Sequence, residues 1–394
     1  MTARLLICLA CVLVLTTWSF AADTKVILNG NVVTLPVMDV DGKAFVDVVA
    51  LMKLLGGKCT YDAANAKLFI NSAGGGGGAG GGTTATGGSA ASTGTAQLPG
   101  DNGQLGQVYT ISKGDPKFFR LISAEYTVGH VVIGNILYSP KADEKLLVLH
   151  FTVQNPNKTT ELFVRYDQLR FMAYDAANTG HEPEGAWGDE QSHANVDLNL
   201  KPAQTVSAYA VIRVPAKGPI VKLMVQPNTD NDGPLLRYMF TDQIKPLQAP
   251  FADPADATGY TALTTVPAQL GTPYPLTSFD MTIEKIETVT TAVQDDAPPD
   301  GGAFLVATVL FKNMAPTESF LRYDQFLPVL TSTDGAELKY EGMVLATAKQ
   351  SVEQNIKPGA QMRVRLYFTV PQGATPKTLD LRDSDSRTYE WEVK

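Results

Sequence analysis

The chain has 394 residues, of which 44% are apolar and 18% are charged, and its formal net charge is −8. That length accommodates two or three domains, and that composition is typical of a globular protein rather than a disordered one. The sequence contains no Lys/Arg cluster. Nucleic acids and anionic membrane surfaces are therefore excluded as expected partners, because both are bound through clustered positive charge.

Residues 1–22 are typical of a secretory signal peptide. Arg4 supplies the positive start, and the apolar run Leu5–Leu15 is too short to span a bilayer as a mature helix. Small residues ending at Ala22 suit cleavage, and an uncleaved anchor is the alternative. Without the signal, 31 basic residues stand against 40 acidic ones and Cys59 is the only thiol. We therefore expect a secreted, periplasmic or cell-surface protein that has no transmembrane helix in the mature chain.

Residues 24–72 form the first predicted module. Asn29-Gly30 lies between two apolar runs, which is a strong signal for a tight β-hairpin. A segment with helical spacing follows and ends at Gly56-Gly57. The predicted elements are strands Val26–Leu28 and Val32–Leu35, a helix Val46–Leu55, and strands Lys58–Asp62 and Lys67–Ile70.

The order of these motifs resembles the copper amine oxidase N-terminal-like, or stalk, domain. The matching motifs are Leu28-Asn29-Gly30, Leu55-Gly56 and Tyr61-Asp62, whereas Asp47 stands where that family often has proline. The resemblance implies a small extracellular βα module. It does not imply amine oxidation, because the sequence lacks both the Asn-Tyr-acid motif that yields the quinone and a His-x-His pair for copper.

Residues 73–100 are predicted to be a flexible linker. As far as residue 96 they are almost entirely Gly, Ala, Ser and Thr, and such a stretch cannot bury apolar surface. The segment also lacks the lysine of a phosphate-binding glycine loop.

The remaining chain contains one domain twice, in residues 105–248 and 258–394. Apolar and polar residues alternate within its longest segments, which favours two tandem antiparallel β-sandwiches of the immunoglobulin type. The recurring segments are Leu146–Asn155 with Phe304–Asn313, Phe163–Leu169 with Phe320–Phe326, Asn199–Pro202 with Asn355–Pro358, and Val214-Pro215 with Val370-Pro371.

This repeat resembles the immunoprotective-antigen-like, immunoglobulin-fold domains of unknown function in exported bacterial proteins. The resemblance lies in Asn313, Asp324-Gln325-Phe326, Lys357-Pro358-Gly359 and Val370-Pro371, and the first copy has Ala203 in place of the glycine. It implies a fold and an exported setting, and no activity.

The best-matched feature of the two copies is an Arg-Tyr-Asp-Gln motif. It is either a binding spot present on each domain or, the interpretation we favour, a structural corner at the entry to a strand. At such a corner the aspartate accepts backbone N–H groups and pairs with the arginine, while the tyrosine covers the sandwich edge. The motif residues are Arg165, Tyr166, Asp167 and Gln168 in the first copy and Arg322, Tyr323, Asp324 and Gln325 in the second.

Weak metal-ligand candidates lie in the segment 180–197, namely His181, Glu184, Asp189 and His193. Imidazole and carboxylate groups suit zinc, but their spacing matches no metal signature and the second copy has no histidine there. A solvated acidic loop is therefore the favoured interpretation, and we predict no cofactor.

The sequence contains no G-x-S-x-G motif, and all four histidines belong to the first repeat. We predict an exported, non-catalytic binding or scaffold protein whose partner is an envelope protein or polymer. The alternatives are a carboxylate-dependent extracellular hydrolase and a purely structural envelope component. Exposed aromatic side chains would favour the binding protein, and a deep acidic cleft would favour the hydrolase.

Overall fold

The computed structural model describes strands within residues 20–71 and then residues 101–393, with gaps at 113, 229–234, 241 and 348–349. The chain divides into two compact units, Met1–Gly88 and Ser89–Lys394. Strands are the regular elements of the described residues, so the mainly-β prediction is confirmed. Within this described part, no helix is long and apolar enough to span a membrane.

The first unit contains two antiparallel groups of strands. Pairing of Leu28 with Asn31 closes the predicted Asn29-Gly30 hairpin, and the second predicted hairpin is also confirmed. Val46 ends a strand instead of starting a helix, and residues 47–57 lie outside the described residues, as do residues 1–19 of the predicted signal and the predicted linker. The strands are β1 (Phe20–Leu28), β2 (Asn31–Val40), β3 (Lys43–Val46), β4 (Lys58–Asp62) and β5 (Lys67–Asn71).

The second unit begins with a β-sandwich that packs the sheet β15-β17-β11-β8-β20 against the sheet β14-β13-β18-β19-β6. Two small ribbons, β9–β10 and β12–β16, complete it. Its strands are β6 (Asp101–Gly103), β7 (Tyr109–Ile111), β8 (Lys117–Thr127), β9 (Val131–Ile133), β10 (Ile136–Tyr138), β11 (Glu144–Gln154), β12 (Leu162–Arg165), β13 (Leu169–Asp175), β14 (Gly180–His181), β15 (Gly188–Asp189), β16 (Asp197–Leu200), β17 (Thr205–Pro215), β18 (Ile220–Pro227), β19 (Leu236–Met239) and β20 (Ile244–Lys245).

A second sandwich follows with corresponding sheets, β22-β23-β24-β30-β28 and β21-β32-β31-β26-β27, and with the ribbon β25–β29. Its strands are β21 (Thr265–Pro267), β22 (Tyr274–Pro275), β23 (Phe279–Val289), β24 (Ala303–Asn313), β25 (Ser319–Arg322), β26 (Val329–Ser332), β27 (Glu337–Leu338), β28 (Tyr340–Leu345), β29 (Glu353–Ile356), β30 (Gln361–Val370), β31 (Pro376–Leu381) and β32 (Thr388–Glu392).

The two sandwiches also share a short motif and a strand irregularity that lie outside the recurring segments. The motif Gln-Leu-Gly begins at Gln104 and again at Gln269, and in both copies the glutamine N–H donates to a tyrosine Oη, at 2.9 Å to Tyr109 and 2.8 Å to Tyr274. Strands β8 and β23 also carry a register shift at the same place in their pairing with the central strand. The duplication therefore extends to the bulges and to the first strand.

Each sandwich has its own core, formed by the alternating side chains of the long strands. Trp187 lies in the segment predicted to be a solvated loop, yet it is 2% exposed and its ring meets Phe151 edge-on at 5.3 Å. That loop therefore supplies the largest side chain of the first core. Tyr260 and Ala262, which the sequence placed in the second repeat, also pack in the core of the first sandwich.

Two buried cations hold the joint between the sandwiches. Lys145 is fully buried, and its Nζ donates to the carbonyl oxygens of Gly218 at 2.6 Å, Ala216 at 3.2 Å and Tyr260. Arg387 is 2% exposed, and it donates to the carbonyl oxygens of Leu263, Lys141 and Glu144. These bonds tie the second sandwich and the connecting segment to the start of β11.

A polar contact beside these cations reinforces the joint. His130 Nδ1 lies 2.7 Å from Ser139 Oγ, which donates to Thr277 O at 2.7 Å, and His130 Nε2 lies 3.4 Å from a carboxylate oxygen of Asp280. The backbone adds a bond from Ala142 N to Asp385 O at 2.9 Å. Because several elements of each sandwich take part, we expect the two sandwiches to move as one body.

A repeated ribbon as candidate functional site

A buried asparagine positions the same small ribbon in each sandwich. Asn155 directly follows β11, and its Nδ2 donates to Thr160 O and to Leu200 O, both at 2.9 Å. Asn313 ends β24 and donates to Thr317 O and Ile356 O, both at 2.8 Å. Since Leu200 and Ile356 end the second strand of their ribbons, the asparagine fixes where each ribbon sits. This explains physically why both copies have Asn at the end of their central strand.

The ribbons β12–β16 and β25–β29 have the same register. Phe163 pairs with Asn199 in the first copy, and Phe320 pairs with Asn355 in the second. Residues directly opposite each other in an antiparallel pair lie on one face, as do residues two positions along the strand. The outer face therefore carries a phenylalanine, an arginine, an acid and an asparagine in each copy: Phe163, Arg165, Asp197 and Asn199, and Phe320, Arg322, Glu353 and Asn355.

The Arg-Tyr-Asp-Gln motif forms the end of this face. Arg165 makes a bidentate pair with Asp167, with both N···O distances 2.6 Å, and this holds the pKa of Asp167 below its usual range. Arg322 also pairs with Asp324, through a single contact from Nε to Oδ1. These pairs are exposed and contribute little to stability, but they fix the guanidinium beside the phenylalanine.

The backbone of the motif makes equivalent turns in the two copies. Gln168 N donates to Arg165 O at 3.1 Å, and Gln325 N donates to Arg322 O at 3.2 Å. The tyrosines differ, because Tyr166 packs against the core of its sandwich whereas Tyr323 is largely exposed. The motif therefore combines a structural corner with an open surface: the turn is internal, and the outer face is open to solvent.

The outer face of each ribbon is exposed to solvent, unlike the buried central strands of the sandwiches. Phe163 is 45% exposed and Phe320 is 42% exposed, so neither side chain is held by a core. The buried central strands β11 and β24 have meanwhile diverged, and they agree only at Leu147 with Leu305, Val148 with Val306, and Asn155 with Asn313. Solvent-facing side chains that are identical in copies with divergent cores have no packing explanation. Sequence reasoning did not single out Phe163 or Phe320, although both lie in the recurring segment.

In the second sandwich the ribbon borders an open cavity of about 480 Å³. Phe320 and Phe326 provide apolar surface there, and hydroxyl, amide and carboxylate groups provide the remainder. Asp383 is held by the N–H groups of Thr277 at 2.7 Å and Ser386 at 2.9 Å, and Asp385 lies 3.9 Å from Lys141. The polar lining residues are Thr277, Ser278, Ser319, Asp324, Gln325, Asp383, Ser384 and Asp385.

The four metal-ligand candidates point to different partners. His181 Nε2 lies 3.2 Å from Asp175, and Glu184 accepts from Arg213 at 2.8 Å. Asp189 accepts the N–H groups of two following residues, which lowers its pKa, and His193 Nδ1 lies 3.0 Å from Tyr209 Oη. Among the described residues, no three His, Cys, Asp or Glu side chains form a group that could hold a metal ion.

Three histidines instead line one cavity of about 390 Å³ on the outer face of the first sandwich. His150 Nδ1 lies 2.6 Å from Glu190, and its Nε2 lies 3.6 Å from Glu125. Burial and nearby acids raise the pKa of Tyr209 to about 12. The histidines that line this cavity are His130, His150 and His193.

The second sandwich has a cavity of about 640 Å³ on the corresponding face. The strand registers place Glu287 where Glu125 lies and Arg365 where Tyr209 lies. The outer cavities have therefore diverged in charge and shape, whereas the ribbons have not. The ribbon is consequently the stronger candidate for a function common to both copies.

Comparison with known proteins finds a family model and solved structures that match parts of the chain, and it supplies no activity. A family model described as a domain of unknown function (DUF4352) matches residues 268–390, which is the second sandwich. Its first residue directly precedes the repeated Gln-Leu-Gly motif at Gln269. No curated protein matches the chain.

Several solved structures are similar over parts of the chain. An uncharacterized β-sandwich protein from Clostridium difficile 630 is 16% identical, covering 32% of this chain and 92% of its own, with a TM-score of 0.24. The secreted protein MPT63 from Mycobacterium tuberculosis is 16% identical, covering 33% of this chain and 98% of its own, with a TM-score of 0.25. A β-glucuronidase from Bacteroides uniformis is 11% identical, covering 70% of this chain and 32% of its own, with a TM-score of 0.14.

Proposed function

We propose that the protein is an exported, non-catalytic binding protein of the cell envelope or extracellular space, and that each sandwich binds through its ribbon. The observation that carries the proposal is the pair of exposed aromatics, Phe163 and Phe320, set opposite identical asparagines in the two copies. A phenylalanine kept at a solvent-facing position in both copies is explained by contact with a ligand rather than by folding.

Two equivalent sites on one chain suit a partner that is itself repetitive. Because the joint connects the sandwiches through Arg387 and His130 rather than through a free linker, the ribbons keep a constant separation. A second ribbon then binds at a high effective concentration once the first is engaged. An envelope polymer or a regular surface layer has the required repetition.

A co-sedimentation experiment tests this function. The mature chain and the double variant Phe163→Ala/Phe320→Ala are incubated with envelope material from the source cells, and the retained fraction is measured by immunoblot. The control is Ile136→Ala/Leu270→Ala, because these residues are also exposed apolar side chains but lie outside the repeated ribbons β12–β16 and β25–β29. We expect retention of wild type and control and loss of the ribbon variant, with equal Tm values for all three.

Two results would contradict the proposal. Failure of the wild-type protein to sediment with any envelope fraction would remove the binding function altogether. Equal retention of the ribbon variant and the control would show that binding, if present, uses another surface. The single variants Phe163→Ala and Phe320→Ala test whether binding is bivalent. Each should keep one intact ribbon and therefore bind more weakly than the wild type but more strongly than the double variant.

A further inference from the structure

We propose that the ligand of the ribbons is a neutral polysaccharide, an inference that rests on the binding function proposed above. It follows from the combination of an exposed aromatic ring, planar polar side chains beside it, and a net charge close to zero. Each of these properties belongs to residues that the two sandwiches share.

The aromatic side chain supplies an apolar platform on an otherwise polar face. Phe320 offers its ring next to Asn355 and Arg322, which lie on the same face of the ribbon. A sugar ring has one face of C–H groups and an edge of hydroxyl groups, so it can pack on the phenylalanine while its hydroxyls bond to planar groups alongside. Amide and guanidinium groups suit this edge because they present donors or acceptors in fixed directions.

The charge of the ribbon argues against polyanions. Arg322 is already paired with Asp324, Lys357 and Glu318 flank the ribbon with one charge of each sign, and Glu353 adds one negative charge. The first ribbon has the same balance, because Arg165 pairs with Asp167, Lys201 and Glu161 flank the ribbon, and Asp197 adds one negative charge. An anionic polymer would need unpaired, clustered cations, and a cationic one would need a cluster of unpaired acids, whereas each ribbon has only one negative charge in excess. A neutral, hydroxyl-rich ligand matches both ribbons.

The cavity beside the second ribbon provides further groups of the same kind. Asp383 is fixed by two backbone N–H groups, and Gln325 Oε1 accepts Arg322 N at 3.0 Å, so these acceptors are held in place before a ligand arrives. Fixed acceptors next to Phe320 can receive sugar hydroxyl protons without a loss of side-chain freedom. The volume of about 480 Å³ is within the range of small-molecule sites.

We expect the second ribbon to bind more strongly than the first, because the fixed acceptors of this cavity add to the contacts of Phe320. We expect Phe320→Ala to lower the association constant for envelope material about tenfold, which corresponds to the loss of one good aromatic contact. Phe320→Trp should retain binding, because the indole offers a larger flat surface. Phe163→Ala should have the smaller effect, and Leu270→Ala should have none.

The ligand class is tested by treating the envelope material before sedimentation with the mature chain. One portion is digested with proteinase K, a second is oxidised with sodium periodate, which cleaves the vicinal diols of sugars, and a third is assayed in 1 M NaCl. We expect retention to survive the protease and the salt and to be lost after periodate. Salt has little effect on an uncharged ligand because there is no ionic attraction to screen.

Other outcomes separate this inference from the proposed function. Retention that is abolished by the protease but survives periodate would identify a protein partner; the ligand class would be wrong and the binding function would stand. Retention that is lost in 1 M NaCl would identify a charged polymer; the ligand class would again be wrong and the binding function would stand. If untreated material retains no protein, the binding function itself fails.

Discussion

The buried amino group of Lys145 should make the stability of the second unit depend on pH. Burial lowers the pKa of Lys145 to about 8, with the nearby Arg387 contributing in the same direction and Asp256 opposing it. In the unfolded chain a lysine has a pKa of about 10.4. The unfolded state therefore binds more protons between these two values, and the free energy of unfolding should rise as the pH rises through that window.

The magnitude follows from the two pKa values. The difference between the folded and unfolded pKa values changes the free energy of unfolding by about 3 kcal/mol in total. About 2 kcal/mol of this increase occurs between pH 7 and pH 9.5. Tyrosines with raised pKa values titrate above that range, and burial raises the pKa of Tyr126 well above it. Their contributions are common to wild type and to a lysine variant, so they cancel in the difference.

The assay compares urea unfolding of the mature wild type and Lys145→Met at pH 7 and pH 9.5, followed by tryptophan fluorescence. Trp187, which is buried in the same sandwich, reports the transition. Lys145→Met leaves three carbonyl oxygens without their donor and lowers stability at both pH values, but it should remove the rise between them. Lys245→Met is the control, since Lys245 is exposed and pairs with Glu125 on the surface.

Parallel pH dependence in wild type and Lys145→Met would refute the reasoning. It would mean either that Lys145 keeps its ordinary pKa or that water reaches Nζ when the protein is folded. Loss of the rise in both Lys145→Met and Lys245→Met would show that the effect comes from the net charge rather than from burial.

Three further predictions concern single positions. Ala203 has φ 61°, where the equivalent Gly359 has φ 71°, so Ala203→Gly should stabilise the first sandwich by about 1 kcal/mol in urea unfolding. Arg387→Met removes the donor for three carbonyl oxygens and should lower the free energy of unfolding by about 3 kcal/mol. It should also make the segment 246–264 susceptible to proteases, and mass spectrometry of the fragments would detect this cleavage. Burial and Glu390 raise the pKa of Asp380, so ionisation opposes folding; Asp380→Asn should raise the Tm at pH 7 and leave it unchanged at pH 3, by calorimetry.

The sequence predicted the features that depend on local pattern. Alternation predicted the long strands and Asn29-Gly30 predicted the first hairpin. The recurring segments include residues of both ribbons, although their pairing was not predicted. These succeed because strand pairing and turns depend on residues close together in the chain. The Arg-Tyr-Asp-Gln motif was also found, but its open face was not distinguished from its internal turn, because exposure depends on which side chains the sandwich covers.

Features that depend on distant contacts were not predicted. Trp187 was placed in a solvated loop, since a single tryptophan among acidic residues has no periodic pattern to mark it as core. The contact of His130 with Asp280 joins residues far apart in the chain, and no spacing rule connects them. The three carbonyl oxygens that accept from Arg387 were not predicted either, because every residue has a backbone carbonyl and the sequence does not show which ones lie near the guanidinium.

The joint between the sandwiches is asymmetric. It is a head-to-tail contact, in which the region before β11 of the first copy meets the segments around Thr277 and Arg387 of the second. Such contacts propagate into filaments when every copy carries both surfaces. Here Ala303 stands where Lys145 anchors the first copy, so the second copy lacks that part of the receiving surface. The binding proposed for the two ribbons therefore requires a polymer whose repeating units match the fixed distance between them.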